Sequence, residues 1–184
     1  MNKSNKLLLI LRHAKSSWES AELSDHDRPL NNRGKRDAPR MGRKLLKEGI
    51  VPHLIISSSA VRAQSTAKKV ARACRYEEEI LIDSTLYGSG HSEYLNVLIN
   101  QDDRHDIIML VGHNPILEHL VEVLTGEIVT MPTCAVACIR LPIRSWRQII
   151  VKTKGELLNL WRPKELRQGK SLNDDCLNHF IKSG

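Results

Sequence analysis

The chain has 184 residues, 41% of them hydrophobic and 27% charged, with a formal net charge of +7. That length suffices for one domain with a real core, and the mixture is ordinary for a soluble globular protein. No apolar run approaches the ~20 residues of a membrane span. The basic start, Met1-Asn2-Lys3-Ser4-Asn5-Lys6, precedes too short an apolar run for a signal peptide, and no small-residue cleavage site follows.

The first element is the apolar run Leu7-Leu8-Leu9-Ile10-Leu11. Its composition predicts a strand over residues 6–12, buried on both faces. Arg12-His13 closes it. In parallel α/β sheets, ligands sit just beyond the carboxyl ends of strands, so the pair marks a candidate anion site. A polar stretch from Ala14 to Asn32 follows, far longer than the usual 2–6 residues of a βα loop. Trp18 and Pro29-Leu30 are its expected anchors. A helix is predicted over 32–48, with Ala38, Met41, Leu45 and Leu46 on one side and Pro39 as a candidate kink.

A strand over 53–58 leads into a helix over 60–74, whose apolar face is Ala63, Ala67, Val70 and Cys74. A shorter strand over 79–82, a helix over 91–100 and a strand over 106–111 come next. Asn114-Pro115 reads as the start of another helix, with Asn as N-cap and Pro at the first helical position. Thr125-Gly126 is its stop. Strands over 134–141 and 156–161 then follow without a helix between them. The alternation predicts an α/β fold with a mostly parallel sheet and antiparallel additions at the C-terminal end.

Four cysteines, Cys74, Cys134, Cys138 and Cys176, are scattered. Cys134-x-x-x-Cys138 lacks the second pair of a zinc site and reads as two small buried side chains. A reducing cytoplasm is the expected compartment. Residues 140–170 hold nine Lys/Arg against Glu156 and Glu165, a net +7 within one segment. The segment is either a solvated face or a surface that steers an acidic partner. The remaining histidines, including His26, His53, His91, His105, His119 and His179, have no metal-ligand spacing. Ser65-Thr66-Ala67-Lys68 lacks the partner motifs of an acyl enzyme and reads as packing.

Three βα junctions carry anion-binding chemistry. They are Arg12-His13, then Ser57-Ser58-Ser59-Ala60-Val61-Arg62, then Val111-Gly112-His113-Asn114-Pro115. Helix starts present free N–H groups, and arginine forks match phosphoryl oxygens. A phosphoryl group is the natural occupant of such a site. Neutral imidazole is a good nucleophile toward phosphorus, and flanking cations lower a histidine pKa.

These residues resemble the histidine phosphatase superfamily, and within it the small SixA-type phosphohistidine phosphatases. The match runs through Arg12-His13-Ala14-Lys15-Ser16-Ser17-Trp18, Asp25-His26-Asp27-Arg28-Pro29-Leu30-Asn31, Arg33-Gly34, Asp37-Ala38-Pro39 and Ser57-Ser58-Ser59-Ala60. It continues through Arg62-Ala63, Thr66-Ala67, Leu86-Tyr87, Val111-Gly112-His113-Asn114-Pro115, Pro132-Thr133-Cys134-Ala135 and Pro163-Lys164-Glu165-Leu166. Ala14 stands where the family signature has Gly, and Gly88-Ser89-Gly90 departs from the family's usual alanine nearby.

The resemblance implies a three-layer α/β/α sandwich, phosphoglycerate mutase-like, with a mostly parallel mixed sheet and no helical lid. A single domain would cover residues 1–169, with 170–184 as a polar tail expected to be disordered. It implies His13 as the phosphorylated nucleophile, with Arg12, Arg62 and His113 holding the phosphoryl oxygens. Arg28, Ser16 and Asn114 would line the substrate site. Asp25 would be the proton donor, with Asp27 and Glu19 as lesser candidates. No metal and no cofactor are implied.

The expected activity is a metal-independent phosphatase that removes phosphate from phosphohistidine on a protein, such as a phosphotransfer or carrier protein. The open site and the undemanding imidazole leaving group both favour it. The alternatives are a phosphomonoesterase acting on a small molecule or a phosphoserine/threonine protein, and a non-catalytic phosphate- or nucleic-acid-binding protein. No aromatic interleaving of basic residues supports nucleic acid, no membrane partner is expected, and a mutase would need a sheltered phosphoenzyme.

Overall fold

The computed structural model describes residues 5–18, 22–150 and 153–167. The proposed 170–184 tail and the candidate Glu19 lie outside them. Six strands form one sheet in the order β3-β2-β4-β1-β5-β6. They are β1 (Lys6–Arg12), β2 (Leu54–Ser58), β3 (Ile80–Asp83), β4 (Ile107–Gly112), β5 (Val136–Leu141) and β6 (Glu156–Trp161). The helices are α1 (Asn32–Lys47), α2 (Val61–Cys74), α3 (His91–Ile99), α4 (Ile116–Thr125) and the short α5 (Pro163–Arg167). The first four strands pair in parallel. β5 and β6 add antiparallel on the far side of β1, as the run of strands without a helix predicted.

The alternating side chains of β1 divide the core. Leu7, Leu9 and Leu11 face α1 and α2, where they meet Met41, Leu45, Ala63, Ala67 and Val70. Leu8 and Ile10 face α3 and α4, where they meet Tyr94, Leu98, Leu117 and Leu120. All five β1 side chains have no exposed surface. Each such burial stabilises the fold by roughly 1.5–3 kcal/mol. The result is a three-layer α/β/α arrangement. Cys134 and Cys138 are buried in the α1/α2 layer as small apolar groups.

The start of α4 differs from the prediction. The helix begins at Ile116, Pro115 occupies the cap position, and no side chain caps it. The Asn114–Pro115 peptide is cis. Asn114 Nδ2 instead donates to the Met131 carbonyl at 3.1 Å. That bond directs the side-chain amide across the strand ends, and Oδ1, the atom a cap would use, has no partner; a long-range partner of this kind is one that local spacing cannot reveal. Pro39 sits within α1, which runs unbroken from Asn32 to Lys47.

The described flanks of the long 14–31 connection pair with each other. Ser17 N–H donates to the Pro29 carbonyl, Asn31 N–H to the Lys15 carbonyl, and Ser16 bridges Leu30. Asn31 then caps α1 through Gly34 N–H. A Cβ at Gly34 would stand 2.3 Å from the Lys15 carbonyl oxygen, so glycine is what lets the first turn of α1 rest on the strand end. Leu30 is buried as expected of an anchor, but Trp18 is 73% exposed. It anchors nothing in the core; its ring lies under the Arg28 guanidinium, 3.1 Å from the ring centre.

Candidate active site

Strand register brings the three junctions together. Arg12 is paired with Gly112, and Ser57 with Val111, so β1, β2 and β4 end at one level. His13 N–H donates to the Gly112 carbonyl, and the His13 carbonyl accepts from Cys134 N–H. The His13 and His113 rings lie 5.0 Å apart.

The tautomer of His13 follows from one contact. Its Nδ1 lies 2.8 Å from the Ala14 carbonyl oxygen. A carbonyl can only accept, so Nδ1 carries the proton and the lone pair sits on Nε2. Burial lowers the His13 pKa to about 4, the Ala14 hydrogen bond opposes it, and the charges of Arg62, Arg12 and Arg28 reinforce it. Desolvation, rather than the cations the sequence pointed to, is the larger cause. Burial, then the charges of His13 and Arg62, brings His113 to about 3. Both imidazoles are neutral at pH 7.

Thr66 holds this corner. Its hydroxyl accepts from Ala14 N–H and donates to the Arg62 carbonyl one turn back. That pair of bonds ties the His13 loop to the helix carrying Arg62. His113 Nε2 meets the Ser58 hydroxyl at 2.9 Å. The Met131 carbonyl accepts from both Arg12 Nη1 and Asn114 Nδ2, while its N–H donates to Glu118 in the first turn of α4.

Among the described residues, three buried side-chain polar atoms have no hydrogen-bond partner: Arg12 Nε, His113 Nδ1 and Asn114 Oδ1. Buried polar groups are nearly always satisfied, so each exception asks for an explanation. All three belong to residues that the sequence singled out for the site.

Asp25 is the hub of the other side. Its carboxylate accepts from Arg28 Nη1 at 2.7 Å, Arg62 Nη2 at 2.8 Å and the Tyr87 hydroxyl at 3.1 Å. Its carbonyl accepts from Arg62 Nη1. Burial pushes the Asp25 pKa up, but these bonds and the Arg62 charge outweigh it and bring the value to about 2. The group expected to donate a proton is thus held as a carboxylate. Arg28 is buried with its fork fully used, on Ser17, Asp25 and Ser16. Ser16 accepts that bond and so meets Arg28 directly. Asp27 lies apart, bonded to Ser24 and His26.

Tyr87 was not singled out for a role, yet it bridges the two sides. Its hydroxyl donates to Asp25, and its ring stands edge-on to His26 and His113, at 5.0 Å and 5.5 Å. Ser58 was named only as part of the β2 junction, with no role of its own, and, unlike Tyr87, the Met131 backbone was not named at all. The Leu86-Tyr87 match was the available signal for Tyr87, and the serine run for Ser58; a backbone carbonyl leaves none. The described residues hold no group of three or more His, Cys, Asp or Glu suited to a metal ion, and no helix among them is long and apolar enough to cross a membrane.

A sequence model of the histidine phosphatase superfamily (branch 1) matches residues 8–87, which includes β1, the Asp25 loop and Arg62. An uncharacterised chloroplastic protein of Arabidopsis thaliana is 32% identical over 153 residues, covering 78% of this chain and 70% of that protein. A SixA structure from Agrobacterium tumefaciens, described as a candidate phosphohistidine phosphatase, superposes with a TM-score of 0.74 at 27% identity. The match covers 86% of this chain and 98% of that one. The protein histidine phosphatase SixA complexed with tungstate gives 0.75 at 21% identity, over 87% and 99% of the two chains. The chain belongs to the histidine phosphatase superfamily and is of its SixA-like type. It is a phosphatase by that membership.

Proposed function

We propose that the protein hydrolyses phosphohistidine on a protein substrate through a covalent phosphoenzyme at His13. The supporting observation is a lone pair on His13 Nε2 at the strand ends where the buried Arg12 Nε and His113 Nδ1 have no partner, with the two imidazole rings 5.0 Å apart. Nε2 attacks phosphorus in line, forming an N–P bond as the substrate's P–N bond breaks. Arg12, Arg62 and His113 stabilise the charge on the equatorial oxygens. The departing imidazole takes a proton. Water then attacks the phosphohistidine of the enzyme, releasing inorganic phosphate and restoring Nε2.

The state of Asp25 supports this substrate class. A carboxylate held at a pKa of about 2 by two arginines is a poor acid at neutral pH. An imidazole leaving group is protonated readily near pH 7 and tolerates this; an alkoxide does not. In this role Asp25 orients Arg62 directly, is itself held by Arg28 and Tyr87, and leaves the departing imidazole to take its proton from water. Arg28 and Ser16 support that carboxylate, and Asn114 supports the Met131 turn that carries Arg12.

The test is phosphate release from a phosphohistidine-bearing protein without added metal. Wild type turns over and forms a transient, acid-labile phosphate on the enzyme, and His13→Ala does neither. Asp25→Asn retains most activity on that substrate, within about tenfold. Efficient hydrolysis of simple alkyl phosphates that survives Asp25→Asn would refute the substrate assignment.

A further inference from the structure

The two helical layers differ sharply in charge. The 16 residues of α1 include seven Lys/Arg and one acid. α2 adds Arg62, Lys68, Lys69 and Arg72 with no acid. On the opposite face, α3 and α4 hold Glu93, Glu118 and Glu122 and no Lys or Arg. The basic segment noted in the sequence, 140–170, is partly neutralised within itself, by Arg140–Glu156 and Arg162–Glu165 pairs. α1 also holds two pairs, Arg40–Asp37 and Lys44–Glu48, but its remaining cations are concentrated on a single helix.

Its arrangement is ordered. Arg33, Arg36, Arg40, Arg43 and Lys47 recur at alternating spacings of three and four, which places them on one side of the helix. From Arg33 to Lys47, 14 rises of 1.5 Å, the stripe is about 21 Å long. Arg33, Arg36, Arg43 and Lys47 are exposed, and none forms an ion pair with a described residue; Arg40 pairs with Asp37. A surface helix ordinarily intersperses both signs, because like charges at such spacings destabilise it.

The stripe starts at the catalytic mouth. Asn31 caps α1 while its own N–H is held by the Lys15 carbonyl, and Gly34 packs on that same carbonyl, two residues from His13. A macromolecule that presents a phosphoryl group to His13 therefore meets the first turn of α1, where the stripe begins.

We infer that the α1 stripe docks an acidic, helix-like face of the phosphoprotein substrate and so sets which phosphoproteins are hydrolysed. This rests on the proposed activity at His13. Charge complementarity names the partner: a row of carboxylates about 20 Å long beside the phosphorylated residue. A nucleic acid fits less well. Neither α1 nor α2 contains an aromatic residue on which bases could stack, and the stripe is one helix wide rather than a groove.

The experiment uses two synthetic helical phosphohistidine peptides, identical except that one carries glutamates along a single face and the other glutamines. Wild type hydrolyses the glutamate peptide with a kcat/KM at least about tenfold higher, an advantage that shrinks as salt is raised. Arg36→Glu/Arg43→Glu/Lys47→Glu abolishes the preference and leaves aryl phosphate hydrolysis within about threefold, since these residues lie outside the site. The milder Arg36→Gln/Arg43→Gln/Lys47→Gln variant gives the same direction should the first fold poorly.

Binding of the unphosphorylated peptides is measured in parallel, so the docking face is judged even if phosphohistidine is not turned over; that failure would count against the activity alone. No preference in wild type, or a preference that survives both variants, overturns the inference. So does loss of duplex RNA binding in the variants with the peptide preference intact.

Discussion

The two ends of the central sheet treat buried charge in opposite ways. At the end where β1 begins, Lys6 is 3% exposed and fully used. Its ammonium donates to the Asp103 and His105 carbonyls and pairs with Asp106 at 2.9 Å. The Trp146 indole donates to the same His105 carbonyl. At the end where β1 stops, Arg12, His113 and Asn114 each keep a buried polar atom without a partner. The same strand thus carries a satisfied cation at one end and an unsatisfied one at the other. A saturated buried charge holds structure together; an unsaturated one is kept for something that arrives.

The strongest way to break that contrast is at the nucleophile. His13→Ala should lower kcat/KM by at least about a thousandfold, because it removes the Nε2 lone pair that takes the phosphoryl group. Comparable turnover would remove His13 from the chemistry and leave the orphaned atoms unexplained.

Next, paired substitutions at the two ends should separate activity from stability. Arg12→Ala should cost about 10²–10³ in kcat/KM with little loss of folding stability. Lys6→Met should leave kcat/KM within a few-fold and cost about 2 kcal/mol, less than a wholly buried pair because Asp106 is 33% exposed. Thermal unfolding and steady-state kinetics on the same samples check both. Equal effects on activity would erase the contrast.

Packing gives a smaller effect. A Cβ at Gly112 would stand 2.1 Å from the Tyr94 hydroxyl, which is itself bound to the Leu86 carbonyl. Gly112→Ala should destabilise by about 1–3 kcal/mol and shift His113, lowering kcat roughly tenfold. Gly112→Ala with Tyr94→Phe should recover part of the stability, which differential scanning calorimetry can show.

The smallest effect is in pH. The His13 pKa is depressed from 6.5 to about 4, and that of His113 to about 3. Both groups therefore contribute stability that is fully present above pH 6.5 and is lost as pH falls from there through about 4. NMR of the imidazole nitrogens should show His13 as the Nδ1–H form, unchanged between pH 7 and about 5. A midpoint near 6.5 would mean that the site is not desolvated.

Much of this was legible along the chain. The apolar run of β1 and the alternation that follows specified the layered fold, because a strand buried on both faces must be covered by helices. The junction residues Arg12, His13, Arg62 and His113 were legible because charge at the end of a buried strand is costly without a use. What failed had a nonlocal cause. Asn114 looked like a helix cap, yet its Nδ2 reaches across to the Met131 carbonyl and its Oδ1 caps nothing. Trp18 looked like a core anchor, yet Arg28 holds its ring at the surface. The basic stripe of α1 was overlooked because acids elsewhere balance it in the total, and only a helix lines up residues three and four apart.

The sequence by itself determined the sheet, its helices and the identity of the groups at the strand ends, since periodicity and burial are local properties. The protonation states were decided by the tertiary structure. Nothing in the spacing of Asp25, Arg28, Arg62 and Tyr87 says that they share one carboxylate, or that the Ala14 carbonyl leaves the lone pair of His13 on Nε2. Hydrogen bonds and desolvation depend on what the folded chain brings within 3 Å, and only the packed sheet settles that.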